Sequence, residues 1–187
     1  MASLLARTVA FTGHRPRYFS FSGGNDPHLL ALRRTLREQI LRLHRENGAT
    51  HFLTGMALGV DTWAAQEVLA LKEQGFPLTL SCILPCVGQE NRWNREEKEQ
   101  YRRLCGQADS METLSPFYFS GCMQMRDRVL VDRCDLLLAV YDGESSGGTG
   151  YTVHYALKKE KPIVLIDCKA LKSGFQAQAR FILPPME

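Results

Sequence analysis

Hydrophobic positions along the chain alternate between a strand-like and a helix-like spacing. Short apolar runs predict six β-strands, and helical patterns between them predict five helices. The predicted strands are RTVAFTG (7–13), THFLTG (50–55), PLTLSCILP (77–85), SMETLS (110–115), DLLLAVYDG (135–143) and KPIVLID (161–167). The predicted helices span residues 27–47, 61–74, 90–106, 121–134 and 149–160.

The first helix carries clear start and stop signals. Asp26 followed by Pro27 is typical of an N-cap and first helical residue, and Asn47-Gly48 is typical of a C-cap. Between them, apolar residues recur at helical spacing: Leu29, Leu32, Leu36, Ile40 and Leu43. Residues 14–27 before this helix are predicted to form a loop.

Alternating strands and helices predict an α/β fold with a mostly parallel sheet, a Rossmann-like three-layer αβα sandwich. The runs DLLLAV and PIVLI lack polar alternation, which suits strands that are buried on both faces. A chain of 187 residues suffices for one core, so we expect a single domain over residues 1–187. The tail from about residue 168 is ambiguous, and either a docked or a loose tail fits it.

Composition excludes several protein classes. The 23 basic residues are interspersed with 20 acidic ones, giving a net charge of +3, so no general polyanion-binding surface is expected. No apolar run approaches the length of a membrane span, and the start MASLLARTVAFTG lacks the features of a signal peptide. We therefore expect a cytoplasmic protein that does not contact membranes.

The six cysteines are expected to be reduced thiols rather than a disulfide framework. They form no CxxC pair, and the chain is rich enough in core residues to fold without disulfide bonds. The five histidines show no zinc-ligand spacing with them, so no metal site is expected.

Four polar, glycine-rich segments follow predicted strands: TGHRP, TGMALGVDTW, LPCVGQENRW and YDGESSGGTGYT. In parallel sheets, the loops at the carboxyl ends of the strands meet at one edge, where ligands bind. We therefore predict that Gly13, Gly55, Gln89 and Gly148 lie together at that edge.

The segment GMALGVD leads from the second strand into a helix. Gly55 permits a turn off the strand, and Gly59 permits close backbone approach at the start of the helix. Asp61 fits two roles equally: an ordinary N-cap, or an acceptor for a sugar hydroxyl beside a phosphate at the helix N-terminus.

The segment SSGGTGYT has the composition of an anion-binding loop. Gly147, Gly148 and Thr149, with Ser145 and Ser146 before them, lead directly into a helix. No lysine follows at P-loop spacing, and a flexible surface loop remains the structural alternative.

Side chains near these loops have both functional and structural interpretations. His14 and Arg15 follow the first strand, where arginine could bind a phosphate, although surface arginines are common. Arg126 could contact a ligand or only pair with Asp127. Trp93, one predicted helical turn past Gln89, could stack on a base or fill the core.

Five segments together resemble the YpsA-like branch of the SLOG superfamily, which includes the DprA recombination mediators and the LOG phosphoribohydrolases. The segments are TGHRP, TGMALGVDTWAAQ, PCVGQENRW, MRDRVLVDRCDLLLAVYDG and GGTGYTVHYA. The resemblance spans about residues 9–167 and implies a Rossmann-like fold that binds a nucleotide-derived ligand. It implies ligand loops that contain Gly13, Arg15, Gly55, Gly59, Asp61, Gln89, Trp93, Arg126, Gly147, Gly148 and Thr149.

Two positions depart from the related patterns. LOG enzymes carry a catalytic glutamate on the helix after the glycine-rich loop, whereas here no glutamate occurs before Glu160 and His154 lies on that helix. Many relatives have asparagine where this chain has Asp127. Candidate acid–base residues are therefore Asp61 and His154.

Three functions remain open. The first is binding of a nucleotide or nucleotide-derived small molecule such as AMP, ADP-ribose or NAD. The second is an enzyme that acts on such a substrate, for example an N-glycosidic phosphoribohydrolase. The third is DprA-like single-stranded DNA binding, which is disfavoured because the arginines at 33, 34, 37, 42 and 45 share their helix with Glu38 and Glu46. A homo-oligomer is also left open.

Overall fold

A computed structural model describes residues 4–144, 146–172 and 178–183 of the chain. Ser145, one residue of the predicted anion-binding loop, lies outside the described residues, as do residues 1–3, 173–177 and 184–187. Described strands are β1 (Thr8–Gly13), β2 (His51–Thr54), β3 (Thr79–Leu84), β4 (Ser110–Thr113), β5 (Leu136–Tyr141), β6 (Ile163–Asp167) and β7 (Gln178–Ile182). Described helices are α1 (Pro16–Phe19), α2 (Pro27–Asn47), α3 (Val60–Glu73), α4 (Arg95–Gln107), α5 (Cys122–Arg133), α6 (Gly148–Lys158) and α7 (Lys169–Lys172).

The strands form one sheet in the order β4-β3-β2-β1-β5-β6-β7. All neighbouring pairs are parallel except β6 and β7, which are antiparallel. The predicted α/β fold with a mostly parallel sheet is therefore confirmed.

Helices cover both faces of the sheet, as the predicted three layers require. Along β5, Leu136, Leu138 and Val140 face the core under α2, α3 and α4. Leu137 and Ala139 face a second core under α5 and α6. This strand is buried on both sides because successive side chains of a strand point to opposite faces.

The segment from residue 168 onward, which the sequence pattern left ambiguous, contains a short helix and a strand in its described part. Strand β7 pairs with β6 at the edge of the sheet, and Leu171 of α7 is buried in the core. The described part of the tail is therefore docked.

Several helix boundaries differ from the predicted ones, most of them by one or two residues, and two short helices, α1 and α7, were not predicted. Helix α4 begins at Arg95 rather than at residue 90, because Asn94 and Glu97 form a reciprocal capping box. Helix α3 begins at Val60 with Gly59 as its N-cap, so Asp61 lies in the first turn. Helix α1 (Pro16–Phe19) occupies part of the predicted loop 14–27.

No helix in the described ranges combines the length and apolarity that a membrane crossing requires. The six cysteines are free thiols, five of them buried.

Candidate functional site

The loops after β1, β2, β3 and β5 lie at one edge of the sheet, because these strands run parallel to one another. Between them lie two cavities. The first cavity has a volume of about 300 Å³ and lies between the β1 loop, the start of α3, α5 and the N-terminus of α6. Its lining residues are Phe11, Thr12, Gly13, His14, Arg15, Arg17, Tyr18, Ala57, Asp61, Met123, Arg126, Asp127, Gly147, Gly148 and Thr149.

Helix α6 points its N-terminus at the first cavity. Its first helical hydrogen bond runs from the Tyr151 N–H to the Gly147 carbonyl, so the N–H groups of Gly148, Thr149 and Gly150 have no partner within the helix. Among described residues, no side chain caps this end, and the space around the α-carbons of Gly147 and Gly148 is open. Unpaired N–H groups at a helix N-terminus suit an anionic ligand.

Asp61 lies buried in the wall of the first cavity. Its carboxylate accepts a hydrogen bond of 3.2 Å from the Ala57 N–H. Burial raises the pKa of Asp61 to about 6, although the positive charge of Arg126 opposes the shift. A carboxyl with a pKa in this range can take up or release a proton close to neutral pH.

Arg126 is a buried cation that ties α5 to the β2–α3 loop. Its Nε donates to Asp127 Oδ1 over 2.8 Å, and its Nη1 donates to the carbonyl of Gly55. A β-carbon at Gly55 would overlap the guanidinium group. The Arg126–Asp127 pair expected from the sequence is thus present, and both residues also line the first cavity.

A second close approach joins the β1 loop to the start of α3. Gly59 has a φ of 99°, and a β-carbon there would lie 2.6 Å from the carbonyl oxygen of His14. The Val60 N–H donates to that same oxygen over 3.3 Å. Gly59 therefore allows the start of α3 to contact the β1 loop. The sequence had predicted close backbone approach at this glycine, but as part of a ligand site.

His14, Tyr18 and Asp142 form a polar cluster that the sequence did not predict as a unit. The His14 Nε2 lies 3.6 Å from Asp142 Oδ1, and the Tyr18 hydroxyl donates to Asp142 Oδ2 over 2.8 Å. The rings of His14 and Tyr18 stack with centroids 3.9 Å apart. Burial, followed by the hydrogen bond to Asp142, raises the pKa of Tyr18, so this hydroxyl stays protonated.

The second cavity has a volume of about 520 Å³ and adjoins the first. Arg15 and Met123 line both cavities. The other lining residues of the second cavity are Cys86, Gly88, Gln89, Asn91, Arg92, Trp93 and Tyr118. Gln89 is fixed by its Nε2, which donates to the carbonyl oxygens of Gly55 at 3.3 Å and Met56 at 3.2 Å.

Comparison with known proteins places this architecture in a family. Residues 9–171 match the family model of the YspA SLOG family, named YpsA. This match covers most of the chain. The chain belongs to the YpsA SLOG family.

Bacterial relatives match this chain along most of its length. A UPF0398 protein of Bacillus pumilus (strain SAFR-032) is 29% identical over 94% of this chain and 95% of its own. A UPF0398 protein of Brevibacillus brevis is 29% identical over 83% of both chains. A UPF0398 protein of Bacillus velezensis is 28% identical over 94% of this chain and 99% of its own. The resemblance seen in the sequence motifs is therefore confirmed.

Most of the predicted ligand-binding residues of this protein come together at the cleft. Those that line the first cavity are Gly13, His14, Arg15, Asp61, Arg126, Gly147, Gly148 and Thr149. Arg15, Gln89 and Trp93 line the second. Gly55 and Gly59 line neither cavity, but lie at the loop contacts described above.

Other predicted features lie differently from the expectation. Gln89 and Trp93 precede α4 in a turn rather than lying one helical turn apart, because the helix begins only after Asn94. His154 is exposed on α6 outside both cavities, with its Nδ1 2.6 Å from the Gly150 carbonyl oxygen.

Three residues near the cleft had weak sequence signals. Asp142 directly follows β5 and belongs to the segment YDGESSGGTGYT, which was predicted to lie at the site, although Asp142 itself was not predicted as a site residue. Tyr18 is brought over the first cavity by α1, whose only start signal is Pro16. Tyr118 lies in an exposed segment with no periodic pattern.

Three of the five arginines of α2 pair with acidic side chains. Arg33 and Arg37 pair with Glu67, and Arg42 pairs with Glu46. The basic side chains of this helix are therefore interspersed with acidic ones, whereas single-stranded DNA binding favours a continuous basic groove.

Proposed function

We propose that this protein binds a nucleotide or a nucleotide-derived small molecule in the cleft. The observation that carries the proposal is the N-terminus of α6, which faces the same cavity as Arg15 and the buried Asp61. This combination offers hydrogen-bond donors and a cation for a phosphate, together with a carboxylate acceptor for a sugar.

The phosphate would lie at Gly147, Gly148 and Thr149. Backbone N–H groups there would donate to phosphate oxygens, and the partial positive charge of the helix end would favour the anion. Arg15 and Arg17 are exposed at the same cavity. A guanidinium group can hold a phosphate by two parallel hydrogen bonds.

The sugar would lie toward Asp61. An ionised carboxylate only accepts hydrogen bonds, so it suits the hydroxyls of a ribose rather than a second phosphate. Above a pH of about 6 the Asp61 carboxyl is mainly ionised, and we expect this role in that range.

Calorimetric titration of the wild-type protein with AMP, ADP-ribose and NAD tests the proposal. We expect saturable binding of at least one of them. Mass spectrometry of small molecules that co-purify with the protein would identify a natural ligand. Failure of all three nucleotides to bind, with no co-purified nucleotide, would contradict the proposal.

The position of Asp61 favours a second candidate function, hydrolysis of the N-glycosidic bond of a bound nucleotide. The C1′–N bond would break as the Asp61 carboxyl donates its proton to the leaving base, and water would add to C1′ and return a proton to the Asp61 carboxylate. A carboxyl with a pKa of about 6 can supply that proton near neutral pH. Release of adenine from AMP, lost in Asp61→Asn, would support catalysis; intact AMP after prolonged incubation would support binding alone.

A further inference from the structure

Two aromatic side chains from different loops line the second cavity. Trp93 comes from the β3–α4 loop and Tyr118 from the β4–α5 loop. Tyr118 is 69% exposed, although a tyrosine ring gains free energy when it is covered. Its neighbour Phe117 is 66% exposed but does not line the cavity.

The Trp93 ring packs against another aromatic side chain of the protein. It packs edge-to-face against Tyr101 with ring centroids 5.3 Å apart and an interplanar angle of 84°. Tyr101 is buried, so the indole packs against a ring of the core. Trp93 is therefore an aromatic side chain supported by the core, while Tyr118 is an exposed ring at the same cavity.

Arg15 and Met123 connect the second cavity to the first. A ligand with its phosphate at α6 can therefore extend past Arg15 into the second cavity. The two volumes, about 300 and 520 Å³, lie in the range of small-molecule sites, about 300–1,000 Å³.

We propose that the second cavity is the nucleobase subsite, in which Tyr118 and Trp93 stack on the flat ring of the ligand. The proposal rests on the proposed function and assigns the class of ligand: a phosphorylated molecule that also carries a heteroaromatic base. Stacking needs only the π-face of the ring, and Asn91 supplies polar groups at the same cavity. Arg15 lies where the charged part of the ligand meets the base.

Titration of matched variants with AMP and with ribose 5-phosphate, which lacks the base, tests this assignment. Tyr118→Ala should weaken AMP binding by about tenfold, or about 1.4 kcal/mol. Tyr118→Phe keeps the ring and should stay within about twofold of wild type. Phe117→Ala, equally exposed but outside the cavity, is the matched control and should leave affinity unchanged. None of the three should alter binding of ribose 5-phosphate.

Fluorescence gives an independent measurement on Trp93. The chain has two tryptophans, and Trp63 packs against Phe19 and Phe21 away from the second cavity. In a folded Trp63→Phe variant, AMP should quench the remaining tryptophan emission, and ribose 5-phosphate should not.

Several outcomes would overturn the assignment without affecting the phosphate site. One is equal AMP affinity in Tyr118→Ala and Phe117→Ala. Another is a loss in Tyr118→Ala that is as large for ribose 5-phosphate as for AMP. A third is wild-type binding of ribose 5-phosphate but not of AMP. If neither ligand nor any other nucleotide binds the wild type, the proposed function itself fails.

Discussion

At the scale of single residues, glycines decide how closely the loops at the cleft approach one another. Gly55 makes room for the guanidinium of Arg126, and Gly59 makes room for the backbone of His14. The sequence pointed to both positions, but their spacing does not reveal whether a ligand or another loop comes close. That distinction depends on tertiary contacts between segments far apart in the chain.

Replacing Gly59 by alanine should destabilise the protein by about 1–3 kcal/mol. A φ of 99° is unfavourable for residues with a β-carbon, and the new β-carbon would collide with the His14 carbonyl oxygen. Chemical denaturation measures the change in unfolding free energy. Gly24→Ala is the control, since Gly24 has open space around it and no positive φ. Equal stability of the two variants would contradict this account of Gly59.

Replacing Asp61 by asparagine should change how stability depends on pH. The pKa of Asp61 is about 6 in the folded protein against an ordinary value of 3.8. Between these values the folded state holds a proton that the unfolded state has lost, so wild-type stability from this group falls as pH rises from about 4 to 6.

Asp61→Asn lacks this titration. Its unfolding free energy relative to wild type should therefore rise by up to about 3 kcal/mol between pH 4 and pH 7. Urea denaturation of both proteins at several pH values measures the difference between their unfolding free energies. The contributions of titrating groups that the two proteins share cancel in this difference. A difference that stays constant with pH would show that the folded pKa of Asp61 is ordinary.

At the scale of elements, local signals predicted some helix boundaries better than others. Asp26-Pro27 and Gly48 bound α2 as expected, because the cap residues act on their own neighbours. The start of α4 was placed too early, since charged residues before Asn94 fit a helix as well as a turn. Strand β7 was not predicted, because its pairing with β6 depends on a distant partner.

Replacing Asn94 by alanine should destabilise α4 by about 1 kcal/mol. The Asn94 side chain accepts a hydrogen bond of 2.9 Å from the Glu97 N–H, and the Glu97 side chain accepts one of 3.0 Å from the Asn94 N–H. Thermal unfolding and hydrogen exchange of the first turn measure the effect. Arg102→Ala, an exposed position on the same helix beyond the first turn, is the control. Unchanged hydrogen exchange in the first turn of the Asn94→Ala variant would contradict the capping role of Asn94.

At the scale of the whole molecule, parallel strands bring four separate loops to one edge of the sheet. This is why the edge, and most residues at it, could be predicted from the order of strands and helices. The division of the edge into two cavities could not, since it depends on how side chains from separate loops pack together. Tyr18 and Tyr118 were missed for the same reason, because only the folded chain brings them to the cavities.

The central claim is that the N-terminus of α6 binds a phosphate through its backbone, and Gly148→Val tests it most directly. Space around Gly148 is open, so valine should fold normally but cover the N–H groups that a phosphate must reach. Gly106→Val is the matched control, because Gly106 is also helical, exposed and unhindered but lies outside both cavities.

Calorimetric titration of wild type and both variants with AMP, ADP-ribose and NAD is the measurement. For any nucleotide that binds the wild type, Gly148→Val should lose at least about tenfold in affinity, about 1.4 kcal/mol. Gly106→Val should bind like the wild type, and Gly148→Val should melt close to the wild-type temperature. Equal affinity in wild type and Gly148→Val would contradict the claim and leave this segment as a connection between β5 and α6.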